Sequence, residues 1–293
     1  MARLGSNRYG KAEVRVVRIG RGLGPGGTDV IRDWNVSSSL SGDLEATHLT
    51  GDNANVLATD TQKNTDFVFA QKLGPVEPET YALALARHFV SSQEPITRAR
   101  IAVEELPWTP IGTGGHSFAR AGQYVRTTVV HEDHNTGATV VSGLRDLIVL
   151  NTTNSEFWGF PRDPYTTLGE TKDRMLATQV SATWRYRPET VDEVDFAAAF
   201  TTATDTLLTT FSATYSYSLQ QTLYAIGEAI VAAVPEICEV RLALPNKHHF
   251  VIDMTPFGEE NTNEVFYAAD RPYGLIEGSV LADDAPDAVT DWL

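Results

Sequence analysis

Pro95-Ile96-Thr97-Arg98-Ala99-Arg100-Ile101-Ala102-Val103 has a counterpart in Pro235 followed by Ile237-Cys238-Glu239-Val240-Arg241-Leu242-Ala243-Leu244. Each stretch follows a segment of helical periodicity. Each alternates apolar and polar residues, as a half-buried strand does. The two lie about 140 residues apart, close to half the chain, which is the mark of an internal duplication. An α+β fold follows: two tandem strand-strand-helix-helix-strand-strand units, each an antiparallel sheet with its helices packed on one face. The expected units are residues 8–146 and 147–285. Such sheets leave open edges, so closure into a barrel through oligomerisation is expected.

Working outward, residues 12–19 alternate as a strand. A glycine-rich stretch, residues 20–27, leads to a second strand from Val30. Gly20-Arg21-Gly22-Leu23-Gly24 resembles a phosphate cradle, but Pro25 and the hairpin context deny it the helix start that a pyrophosphate needs. Residues 59–70 and 77–92 read as helices, the second with Tyr81, Leu85, His88 and Phe89 on one stripe. A hairpin spans residues 125–150 and turns at Asn135-Thr136-Gly137. Residues 180–186 read as a strand and 196–211 as a helix. Leu219, Leu223, Ile226, Ile230 and Val234 then form an apolar stripe of period 3.6. Closing strand signals lie near Phe266 and at residues 276–280.

The 293 residues suffice for one large or two medium domains. A net charge of -15 argues against a nucleic-acid groove or an anionic membrane surface as partner. It leaves room for a small anionic substrate, because salt screens distant charge beyond about 8 Å. Cys238 is the sole cysteine, so no intrachain disulfide forms, and its apolar surroundings predict a buried, inert thiol. The sequence has neither a signal-peptide pattern nor an apolar run near membrane length. It ends Asp291-Trp292-Leu293, not in a peroxisomal Ser-Lys-Leu address, and a cytoplasmic protein is expected.

Three polar clusters interrupt the strand and helix patterns. They are Tyr9-Gly10-Lys11, residues 58–65, and Pro245-Asn246-Lys247-His248-His249-Phe250. Taken singly, Thr59 and Asp60 read as a helix cap, Lys11 as a solvated strand end and the two histidines as a polar edge. On a strand, Asn246 and His248 share one face, and Lys247 and His249 take the other. His131-Glu132-Asp133-His134 has metal-ligand chemistry, but its place beside a hairpin turn splits the side chains between faces, and a solvated turn is expected.

Taken together, the clusters resemble the urate oxidase (uricase) family over nearly the whole chain. The likeness rests on residues 9–15, Ala58-Thr59-Asp60-Thr61-Gln62-Lys63-Asn64-Thr65, Asn154-Ser155-Glu156-Phe157-Trp158-Gly159-Phe160, Arg162-Asp163 with Tyr165-Thr166-Thr167-Leu168, Leu219-Gln220-Gln221-Thr222, and residues 244–250. The resemblance implies the tunnelling fold, assembled as a barrel-like homotetramer. It implies oxidation of urate by dioxygen and water to 5-hydroxyisourate and hydrogen peroxide, with no metal and no organic cofactor. By position, Lys11, Thr59 and His248 match a catalytic proton relay. Arg174 and Gln220 match the pair that grips the purine edge, Phe157 the ring that stacks on it, and Asn246 the residue over the dioxygen or water position. Leu168, Leu219, Thr59 and Asp60 match further substrate contacts. The resemblance also implies that a neighbouring subunit supplies Thr59 and Asp60.

These residue types suit the chemistry. Urate is a flat anion edged with acceptors, and an arginine fork presents paired donors in one plane. Glutamine offers a donor and an acceptor together, and a hydroxyl can pass a proton on. An aromatic ring beneath the purine adds about 1 kcal/mol of stacking. A lysine of ordinary pKa is neutral about once in a thousand near pH 7.4, so a lysine base needs burial or a nearby cation. Histidine titrates near neutrality and suits the second proton carrier. Two other functions remain open: a catalytically inactive purine-binding oligomer, and another purine or pterin enzyme of the same fold. The latter commonly use zinc on a Cys/His set that this sequence lacks.

Overall fold

The structure is a computed structural model and describes residues 2–288. The C-terminal tripeptide lies outside those residues. One eight-stranded antiparallel sheet organises the chain. Its strands are β1 (Tyr9–Gly20), β2 (Val30–Gly42), β3 (Ile96–Glu105), β6 (Val125–Asp133), β7 (Gly137–Asn151), β8 (Leu176–Tyr186), β9 (Ile237–Val251) and β10 (Phe266–Leu281), side by side in that order. A separate hairpin, β4 (Trp108–Pro110) with β5 (Phe118–Arg120), fills the β3–β6 connection. The helices are α1 (Glu45–Thr50), α2 (Thr59–Leu73), α3 (Pro78–Ser92), α4 (Phe196–Ala213) and α5 (Leu219–Ala233). The expected order of two strands, helices and two strands appears twice, with α1 as an additional short helix in the first half. No helix among the described residues is long and apolar enough to cross a membrane.

Alternation decides which face of the sheet the helices cover. In β3, Ala99, Ile101 and Val103 are buried, while Arg98 is exposed and Arg100 half-buried. The β6–β7 turn falls where the sequence put it, with Asp133 paired to Gly137 across it. Residues 20–27 join β1 to β2 through one short 3-10 turn at Pro25–Gly27, consistent with hairpin slack. Cys238 is buried, and burial pushes its thiol pKa up.

An ionic knot holds the middle of the sheet. Glu79 of α3 is fully buried, which a carboxylate tolerates only when hydrogen-bonded. It accepts from Arg126 Nη2 at 2.7 Å, Thr128 Oγ1 at 3.0 Å and Ser142 Oγ at 2.5 Å. The Arg126 guanidinium lies 4.1 Å from the Phe200 ring of α4. The knot therefore ties α3, β6, β7 and α4 together where the two halves of the sheet meet.

Candidate active site

The polar block does not break its strand. β9 runs straight through it, and the irregularity falls on β10, whose register shifts between Ala269 and Gly274, opposite His248 and Asn246. A bulge of this kind adds local twist and re-aims neighbouring side chains. A cavity of about 220 Å³ lies against this end of β9, lined by Phe157, Leu168, Arg174, Asn246 and His248. His249 borders it too, contrary to strict alternation, and the twist beside the bulge accounts for this. Its Nδ1 sits 3.0 Å from the Lys247 carbonyl.

Arg174 is held from behind. Its Nε donates to Ser155 Oγ at 3.1 Å, and its backbone N–H donates to Ser155 O at 3.0 Å. Gripping the guanidinium by Nε leaves its paired terminal nitrogens to a flat acceptor. The guanidinium lies 5.1 Å from the Phe157 ring, and Phe157 stacks on Phe160 at 5.0 Å. Burial lowers the Arg174 pKa, yet a guanidinium stays cationic. Burial, then the Arg174 charge and then His249 lower the His248 pKa below its ordinary value. A neutral imidazole at pH 7 results, free to accept a proton.

Buried hydroxyls extend this site to α5. The backbone around Ser155 bridges Ser216 through the Glu156 N–H to Ser216 O and the Ser216 N–H to Asn154 O, and Ser216 Oγ accepts from Thr222 Oγ1 at 2.8 Å. Ser218 then caps α5 by accepting from the Gln221 N–H at 3.2 Å. This sets the first turn of α5, where Leu219 is buried and Gln220 exposed. Neither lines the cavity, although Ser216 Oγ donates to Ser218 O and so joins the start of α5 to the segment that holds Arg174. Sequence reading did not single out Ser155 and Ser216. They stand within or beside the segments that carry the resemblance, but small polar residues show no periodic signal.

Lys11, Thr59 and Asp60 form a second group. Lys11 lies where β1 changes register, between Lys11 and Val14, with Glu13 in the left-handed region at φ 58°. Its backbone N–H faces Ser38 Oγ at 3.4 Å, and Ser38 Oγ donates to Gln62 Oε1 of α2 at 2.8 Å. Gln62 thus locks the start of α2 onto the bulge. Thr59 is the first residue of α2, and the preceding Ala58 offers no side-chain cap. The capping role expected for Thr59 and Asp60 is therefore absent. The first amides of α2 stay open at the positive end of the helix dipole, a setting that favours an anion. Asp60 bonds Lys63 and Asn64, and Lys63 chiefly, with Lys11 adding, lowers its pKa.

The two groups do not meet within one chain. Five strands separate β1 from β9 in the sheet order. Six spacings of roughly 4.8 Å put them about 29 Å apart along the sheet. Among the described residues, no group of three or more His, Cys, Asp or Glu side chains could hold a metal ion. At the 131–134 turn, Asp133 is instead bound by Arg98 and by the Asn135 N–H.

Comparison with known proteins shows the family and the fold. The Uricase family profile matches residues 7–131 and 140–277. The uricase of Arthrobacter globiformis is 50% identical over 277 residues, covering 94% of this chain and 89% of that protein. That of Dictyostelium discoideum is 39% identical over 286 residues, covering 96% and 98%. The crystal structure of the Arthrobacter globiformis uricase superposes with a TM-score of 0.93 at 47% identity, covering 98% of each chain. A uricase structure from Bacillus fastidious, 22% identical with a TM-score of 0.81 over 99% of each chain, shares the fold. The chain belongs to the uricase family, and with it to the oxidoreductases.

Proposed function

We propose that the chain oxidises urate with dioxygen and water to 5-hydroxyisourate and hydrogen peroxide, without metal or organic cofactor. Urate gives up two electrons, dioxygen takes them with two protons to become peroxide, and water supplies the new hydroxyl oxygen. The observation that carries this reading is the pairing of Arg174 with Phe157 in the cavity against β9: a planar fork beside an aromatic face suits a flat anion. Gln220 takes the other purine edge, Leu168 and Leu219 flank it, and Asn246 stands over the ring where dioxygen or water arrives. Thr59 and Asp60 meet the substrate through the open end of α2. The proton leaves through Thr59 to Lys11, and His248 orients the relay and carries the second proton.

The separation of Lys11, Thr59 and Asp60 from the β9 cavity supports a site built by two subunits of a homotetramer. In this reading residues 8–146 of one subunit face residues 147–285 of its neighbour. The test is complementation. Lys11→Met and Arg174→Gln, each inactive alone, are co-expressed, and urate loss with peroxide formation is measured in air. Random mixing restores about a quarter of wild-type turnover if each site draws one half from each subunit. No recovery at all in verified mixed oligomers would sink the shared site. A wild-type protein that binds urate and makes no peroxide would establish the inactive binding oligomer instead.

A further inference from the structure

The face of the sheet away from the helices carries a small basic hollow outside the site described above. Ser39 of β2 pairs with Arg100 of β3, and Arg100 pairs with His131 of β6. With Arg8, just ahead of β1, they line a cavity of about 110 Å³. Two carboxylates border it: Asp133 is hydrogen-bonded, whereas Glu132 Oε2 is buried without a hydrogen-bond partner. Asp133 is bound by Arg98 Nε, and Glu132 Oε2 lies 3.8 Å from Arg87 Nε.

Arg8 and Arg100 have no carboxylate partner among the described residues. By contrast, Arg15, Arg21, Arg32, Arg87, Arg120 and Arg145 rest against carboxylates, and Arg18 and Arg174 hydrogen-bond neutral oxygens. Burial, and then the neighbouring Arg8 charge, both act against the charge on Arg100. A half-buried cation facing a second cation costs stability unless something neutralises the pair. The chain's net charge of -15 makes a like-charged arginine pair here the more telling.

We infer that this hollow binds a compact inorganic oxyanion of the phosphate or sulfate type. Arg100 and Arg8 supply the fork donors and the Ser39 hydroxyl a further one. Ser41 Oγ already donates to Asn7 O at 3.0 Å, so the segment leading into β1 lies within reach of the same anion. Bound there, the anion ties the entry of β1, three residues ahead of Lys11, to the middle of the sheet.

The experiment is calorimetric titration of the intact protein with inorganic phosphate, at ionic strength held constant with chloride. Near-ultraviolet circular dichroism certifies the fold of each variant. One phosphate per chain is expected, with affinity reduced at least about tenfold in Arg100→Gln and comparably in Arg8→Gln. Arg100→Lys, which keeps the charge and loses the fork, recovers only part. Equal affinity in wild type and a folded Arg100→Gln overturns the site, as does a wild type that gives no heat. A response to chloride equal to that to phosphate overturns it too, because simple screening then suffices. If Arg100→Gln fails to fold, exposed Arg8→Gln decides alone.

Discussion

Helices α2 and α5 both begin beside candidate site residues, yet different forces hold them. α5 buries Leu219, Leu223, Ile226 and Ile230, and Ser218 caps it. α2 buries Gln62, Asp66 and Ala70, has no side-chain cap, and turns Phe67 and Val68 outward at 46% and 48% exposure. The core drives α5 onto the sheet. Specific bonds pin α2: Gln62 to Ser38, the Tyr81 hydroxyl to Asp66 O, and Arg18 to Ala70 O. The helix that carries Thr59 is therefore the less firmly rooted, and it presents an apolar face outward. A helix end free of local obligations suits a site completed by another chain.

The sharpest way to break this contrast is to remove the anchor of α5. Ile226 is fully buried, and Ile226→Ala should cost about 3 kcal/mol in urea unfolding through lost transfer energy and a residual cavity. A loss below about 1 kcal/mol would mean that the stripe is not the main tether.

The next prediction concerns Asp66. Its carboxyl is buried, neither oxygen has a hydrogen-bond partner, and burial pushes its pKa up to about 7. A carboxyl raised in the folded state gives the native protein the extra proton between pH 4 and 7. Stability from this group is therefore fully present below about pH 4 and is lost as pH rises toward 7. Asp66→Asn should stabilise the protein at pH 8 by about 2 kcal/mol and flatten stability between pH 4 and 7. Parallel pH–stability curves for variant and wild type would refute this. The smallest effect belongs to the cap: Ser218→Ala should cost about 1 kcal/mol, read from the denaturation midpoint.

What the sequence disclosed follows from how local each feature is. The stripe 219–230 and the turn at Asn135-Thr136-Gly137 are set by neighbours along the chain, and both stand where they were read. The duplicated strands show in alternation, because one covered face imposes a period of two. The β4–β5 hairpin and α1 lack such a signature: three-residue strands and a six-residue helix are too short for periodicity to emerge. The candidate site was named through family likeness, not through pattern. Arg174 owes its pose to Ser155, and Lys11 owes its pose to Ser38 and Gln62, partners distant in sequence. The β10 bulge that brings His249 to the cavity rim involves residues across the ladder. Thr59 and Asp60 have good capping chemistry, but the chain enters α2 one residue too early for either to cap it.

The order of the sheet has one more consequence, for the life of the newly made chain. β1 and β10 are its outermost strands, 12 and 16 residues long, so a lone chain offers two lengthy backbone templates to whatever it meets. β10 also exposes Tyr267, Tyr273 and Leu275. In the proposed homotetramer, correct association competes with indiscriminate strand pairing between the end of folding and the covering of these edges. Yield on expression and recovery after dilution then depend on how fast the right neighbour arrives, and a more stable core alone does not change that race.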